Sequence, residues 1–321
     1  MNRSQLYGYG LVLAIASLTG CSQNGTPVSS SGGGWSAEQA SVSGTLASTP
    51  DLIDDGQMES EDVGLVNAGP AAEGALAAIR PYRFWRTIDG IERRFEFAFA
   101  DSDSAGLPRT AVVTVHKTLR GSFNIVAGAP GAEDSPRDSS RRIVRKRLVD
   151  HWTRRVLLKR VERPNGEGGE GADNVRWRVA ATSAVKVRSA LPANDADHAK
   201  LLSLRVQSGA LDTTLSNPLE FFRLRGMLKL DPGAEVAVTV TTERPDDIVL
   251  FVRHGHRARL EPNGDNTYSG RFTVPDERGV RHFGVNALSN GTLFDDDAPY
   301  NSIAWIFPYT VVNEEMAEYR P

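Results

Sequence analysis

The sequence predicts a mainly β protein in two parts: an α+β antiparallel-sheet domain over residues 67–217, followed by a β-sandwich over residues 218–321. Three observations carry that expectation. Apolar residues recur at every second position in several segments, runs rich in Pro, Gly, Asn and Asp separate those segments at short intervals, and one stretch, 71–79, favours a helix by composition. The 321 residues suffice for two domains, and a formal net charge of −3 with pI near 6.1 gives no general reason to expect nucleic acid as a partner.

The chain opens with the parts of an export signal: a cation at Arg3, an apolar core from Leu11 to Ala16, and small residues before a cleavage point. Interrupted by Gly8, Gly10 and Ser17, it is too short to span a membrane, which takes about 20 apolar residues. Leu18-Thr19-Gly20-Cys21 closes this leader (residues 1–20) and resembles the lipobox of bacterial lipoproteins. The resemblance implies cleavage between Gly20 and Cys21, a diacylglycerol thioether on Cys21, and acylation of the new amino group, for instance by palmitate. Several acyl chains on one residue make a durable anchor, each buried methylene contributing about 0.8 kcal/mol. Ser22 stands where an aspartate commonly signals inner-membrane retention, so the expected address is the outer membrane of the bacterial cell envelope. Cys21 is the single cysteine, which leaves no disulfide and no cysteine-based metal site.

Residues 21–66 read as a polar tether, with Ser29–Gly34 followed by an acidic run from Asp51 to Asp62. A flexible segment of about 45 residues has a root-mean-square reach of roughly 35 to 40 Å.

In the first domain, Ala71–Ile79 reads as a short helix stopped by Pro81. Phe95, Phe97 and Phe99 alternate with Glu96 and Ala98 as in a half-buried strand. Segments 111–118 and 122–126 flank Leu119-Arg120-Gly121 and suggest a hairpin. Val175–Val187 is the clearest strand, with Val175, Trp177, Val179, Ala181, Val185 and Val187 on one face and Arg176, Arg178, Lys186 and Arg188 on the other. Its expected partner is 152–161, joined through Pro164–Gly169. One helix followed by antiparallel strands is similar to cone-shaped domains of the nuclear-transport-factor type.

In the second domain, Val236, Val238 and Val240, then Ile248, Leu250 and Val252, alternate after Asp- and Pro-containing turns, with Phe221-Phe222 expected as interdomain packing. Pro262-Asn263-Gly264-Asp265-Asn266-Thr267-Tyr268-Ser269-Gly270 resembles the turn and strand of filamin-type repeats, with Asn266 where that pattern usually has glycine. The resemblance implies an immunoglobulin-like β-sandwich continuing through Phe272, Val274, Gly279–Ala287 and Ser302–Val312. Such sandwiches serve as spacers, binding modules and enzyme appendages alike.

Between positions 141 and 160 lie nine basic residues, Arg141, Arg142, Arg145, Lys146, Arg147, Arg154, Arg155, Lys159 and Arg160, opposed only by Asp150. They suggest a patch for an anionic partner, a glycan, a lipid or another envelope protein; the plainer reading is a solvated face whose long stems cover apolar surface. Metal candidates are weak. His254 and His256 share a strand side but lack a converging third ligand, with His282 expected to face solvent, and Asp295, Asp296 and Asp297 also make sense as a hydrated turn. Asp101–Gly106 begins like an EF-hand loop, yet Ala105 and Val112 stand where oxygen ligands are needed, so a turn is expected. There is no Gly-x-Ser-x-Gly elbow or phosphate loop, and no cofactor is implied. His116 and His151 have no partner that the sequence assigns. The sum is an envelope lipoprotein acting as a non-catalytic binding or structural module. The alternatives are an envelope hydrolase, with its site in the first domain or between the domains, and a small-ligand carrier with a closed apolar cavity.

Overall fold

The computed structural model describes residues 36–50, 63–65, 79–128, 141–162, 175–194, 197–253 and 256–312. The leader with Cys21, the acidic run at 51–62, residues 71–78 of the helix expected at Ala71–Ile79, and the Pro164–Gly169 loop lie outside these residues.

The described chain is mainly β and its sheets are antiparallel but for one strand pair. In order come α1 (Ser36–Ala47), β1 (Val63–Leu65), β2 (Arg80–Ser102), β3 (Pro108–Gly128), β4 (Arg142–Glu162) and β5 (Val175–Ser189). They are followed by β6 (Leu201–Ser208), β7 (Leu211–Leu215), β8 (Phe222–Arg223), β9 (Leu228–Leu230), β10 (Glu235–Thr242) and β11 (Ile248–Arg253). The last elements are β12 (His256–Arg259), β13 (Glu261–Pro262), β14 (Thr267–Thr273), β15 (Gly279–Leu288), α2 (Asn290–Phe294) and β16 (Ser302–Val311).

The larger sheet runs β1-β2-β3-β4-β5-β16-β15-β11-β12, with β8 and β9 added at its side, and the smaller runs β13-β14-β10-β6-β7. Strand pairing crosses position 217/218 in two places. Val185–Arg188 of β5 pairs with Ile303–Ile306 of β16, carrying one sheet across that position. β6 and β7, which precede it, belong with β10 and β14 in the smaller sheet.

Burial explains the apolar patterns. In β10, Val236, Val238 and Val240 are buried and alternate with half-exposed positions, because only one face meets a core. That core joins Leu204, Val238, Tyr268 and Phe272 of the smaller sheet to Phe251, Phe283, Val285, Trp305 and Phe307 of the larger. β11 and β15 are apolar on successive positions because their other face is also covered. Ile248, Leu250 and Leu288 pack there against Phe84, Phe123, Ile125 and Leu148 of β2–β4. The larger sheet is therefore coiled, its β2–β4 side facing its β11–β15 side.

The expected hairpin at Leu119-Arg120-Gly121 is instead the middle of β3, paired without a break to β4. Gly121 is there for space: a Cβ would lie 1.9 Å from the Thr87 carbonyl oxygen, beside the irregularity at Ile88–Gly90 in β2. The turn at Asp101–Gly106 is as expected, Asp103 Oδ1 accepting from the Ala105 and Leu107 N–H groups at 2.9 Å.

Within the expected tether, Ser36–Ala47 is a helix docked on the sheet, not free chain. Val42 and Leu46, four residues apart, bury their side chains among Phe97, Val113, Val156 and Trp177, and the Trp177 indole donates to Glu38 at 2.8 Å. Two apolar residues in a Ser- and Ala-rich segment are a faint local signal. It is the waiting sheet that holds the helix, each buried side chain contributing about 1.5 to 3 kcal/mol.

Candidate binding surface

β4 carries all nine basic candidates except Arg141, which immediately precedes it, and strand alternation divides them. Lys146 and Arg154 point into the coiled sheet and are 6% and 2% exposed. Arg142 pairs with Asp296, and Arg160 with Asp103 at 3.1 Å. Arg141 lies over the Tyr82 ring at 4.1 Å and Arg155 over the Phe221 ring at 4.6 Å. Arg145, Arg147 and Lys159 remain exposed. The nine do not form one surface, because consecutive residues of a strand face opposite ways.

What assembles a basic surface is register. Val149 of β4 stands opposite Arg120 of β3, His151 opposite both Thr118 and Arg188 of β5, and Thr153 opposite Lys186. Arg120, Arg147, His151, Lys186 and Arg188 thereby share the outward face. There they line two adjoining hollows of about 420 and 180 Å³, walled by Ser189–Ala193, His198 and Leu219. The Ala190 N–H donates to the Val149 carbonyl at 2.8 Å and fixes the wall to β4. Among the described residues no Asp or Glu lines either hollow. Arg120 lies 3.9 Å from the exposed Glu92 carboxylate. His151 Nδ1 lies 3.3 Å from the Thr118 hydroxyl, and His116 lies 3.3 Å from Glu96.

Sequence reasoning placed Arg120 in a turn and weighed Lys186 and Arg188 only as the wet side of β5. The signal that would have found the groove was the expected 152–161 with 175–187 pairing, since extending it sets Arg188 beside His151.

The inward face holds a second polar group. Asp150, 1% exposed, lies 3.5 Å from Arg86 Nη2 and accepts from the Tyr300 hydroxyl at 3.3 Å. Burial pushes its carboxyl up, and Arg86 and then Arg257 pull it back. The Tyr300 hydroxyl is pushed far up by burial and then by the Asp150 charge. Arg257 donates to Asn286 at 2.9 Å, and Asn286 in turn to Ser302 at 2.7 Å. The hollow at this cluster encloses about 20 Å³, room for a single water.

Of the metal candidates, Asp295, Asp296 and Asp297 do bring carboxylate oxygens within 4.8 Å of one another. Their charge is already answered from β4. Arg142 holds Asp296, and Lys146 donates to the carbonyls of Gly291 and Asp295. Asp295 Oδ1 accepts from the Asp297 N–H at 2.9 Å. Desolvation lowers Lys146 to about 8 while the three aspartates oppose that fall. The arrangement is an ionic clasp between β4 and the α2–β16 connection. His254 lies outside the described residues, His256 opens β12, and His282 is half-buried opposite Pro308 on β16. Among the described residues no helix is long and apolar enough to cross a membrane.

No family model, curated protein or solved structure matches this chain.

Proposed function

We propose that this chain is a non-catalytic binding module of the bacterial envelope, lipid-anchored through Cys21 in the outer membrane, whose groove at Arg120, Arg147, His151, Lys186 and Arg188 engages the phosphates of membrane lipids. The observation that carries this reading is the groove itself: three neighbouring strands contribute cations to two joined hollows that no carboxylate of the described residues lines. Such a surface attracts an anion before contact and holds it after. The docking of α1 favours a lipid. Fourteen residues lie between Cys21 and Ser36, about 50 Å at full extension, so an anchored body stays within that reach of anionic headgroups.

In this reading the smaller sheet packed on β9, β11, β12, β15 and β16 is the immunoglobulin-like sandwich. Asn266 supports it, adopting φ 62° at the position where the filamin-type phrase has glycine. The sandwich is a rigid platform, and the coiled extension from β2 to β5 presents the groove. A carrier role receives less support, because the two inward hollows enclose only about 20 and 50 Å³, against several hundred for a small-molecule pocket.

The test is cosedimentation of the Cys21→Ala chain, which lacks the anchor, with vesicles of phosphatidylglycerol and of phosphatidylcholine. Binding to the first alone supports the reading. Equal retention on both, or binding only to a soluble sulfated glycan, contradicts it.

A further inference from the structure

One exposed apolar side chain says little, whereas a group of them set among cations describes a surface. On the outward side of β2–β4 the register builds three cross-strand rows: Arg83–Val126–Ile143, Trp85–Asn124–Arg145 and Thr87–Ser122–Arg147. None of these residues is acidic, and Arg83, Arg145 and Arg147 are exposed. Ile143 is 51% exposed, the most of any large apolar side chain among the described residues. Trp85 is half-buried, with the Arg83 guanidinium 5.9 Å from the centre of its ring.

The rows lead into the groove. Arg147 ends the third row and lines the smaller hollow with Arg120, and Leu191, 37% exposed, lines the same hollow. Of the four large apolar side chains exposed among the described residues, two therefore stand beside the same cations; Leu107 and Leu202 lie elsewhere, before β3 and on the smaller sheet. Hydrogen bonds fix the backbone that presents Leu191. The Ala190 N–H donates to the Val149 carbonyl, and the Ser189 hydroxyl donates to the Leu191 carbonyl at 2.6 Å.

We propose that this face lies on an anionic bilayer and inserts Ile143, Leu191 and the edge of Trp85 below the headgroups whose phosphates the cations hold. The inference rests on the lipid-phosphate reading of the groove and adds the depth at which the protein binds. Cations alone attract any anion. An apolar side chain beside them gains only where hydrocarbon lies under the charge, and a bilayer supplies that layering while a free phosphate or a soluble glycan does not. Tryptophan suits the boundary between the two layers, its ring apolar and its N–H polar. Ile143 and Arg147, four residues apart on one strand, are about 13 Å from each other, so charge and apolar contact fall within a patch a few lipids wide.

The test places a depth probe on the full chain. In the Cys21→Ala background, Ile143→Cys, Leu191→Cys and Leu202→Cys each supply a single thiol for an environment-sensitive nitrobenzoxadiazole label. With phosphatidylglycerol vesicles the labels at 143 and 191 should shift to the blue, brighten several-fold and be quenched by a nitroxide near the top of the acyl chain. The label at 202, on the smaller sheet, should stay unchanged, and soluble glycerophosphate should produce no response at any position. Ile143→Ser combined with Leu191→Ser should weaken vesicle binding about tenfold or more while leaving its dependence on salt as it was, because the cations remain. Cosedimentation with phosphatidylglycerol alongside unshifted labels at 143 and 191 would overturn the insertion and leave the phosphate groove standing. Unchanged affinity of the double serine variant, an equal response at 202, or the same response to glycerophosphate would also overturn it. Absence of cosedimentation would remove the groove reading and the insertion together.

Discussion

At the scale of single residues, burial decides what each charge costs, and Asp247 and Lys146 show the two signs. Burial raises Asp247 from 3.8 to about 7, so between those values the folded chain holds a proton that the unfolded chain has released. Its folded state is thus favoured at low pH and loses stability as pH climbs from about 4 through 7. Asp247→Asn removes that loss. Urea unfolding at pH 8 should find the variant more stable than the parent by roughly 2 to 4 kcal/mol, the difference vanishing near pH 4. Lys146 goes the other way: lowered from 10.5 to about 8, it makes the chain more stable as pH rises through that interval. Neither environment was legible in the sequence. Asp247 read as a turn residue and Lys146 as one of a basic run, because the groups that bury them arrive from residues 197, 244 and 291–297.

At the scale of elements, strands with a run of alternating apolar residues were legible, while features set by the approach of another part of the chain were not. The Val236, Val238 and Val240 alternation located β10, and the valines and Trp177 of β5 located its inner face. In β3 the triplet Leu119-Arg120-Gly121 suggested a turn because glycine usually marks one, whereas here it admits the Thr87 carbonyl of a neighbouring strand. Gly121→Ala should therefore lower stability by about 3 kcal/mol or more, a fall of about 6 to 12 °C in Tm, since backbone stands in the way of the new methyl group. The helix α1 escaped notice for the opposite reason, having only Val42 and Leu46 to show. Val42→Asp would set a charge inside that contact. Limited proteolysis should then cut within 36–47, and Trp177 emission should shift to the red as its indole gains water. An uncut segment with unchanged emission would contradict the docking of this helix.

At the scale of the whole molecule, the pairing of β5 with β16 joins Arg188 to Ile303 across more than a hundred residues, and no local pattern announces it. That register carries the larger sheet past position 218, while the β4–β5 pairing brings Ser189–Ala193 alongside β4 to wall the groove. Anchoring and recognition are separable on this view. Cys21→Ala should move the chain from the membrane fraction of cells to the soluble fraction, and retention in the membrane would remove the anchor from the account. The most direct test of the groove combines that variant with Arg120→Ser, Arg147→Ser and Lys186→Ser and measures binding to phosphatidylglycerol vesicles. At about 1 kcal/mol per cation near an anionic surface, the account predicts roughly a hundredfold weaker binding and a shallower dependence on salt; unchanged affinity in the triply substituted chain would contradict it.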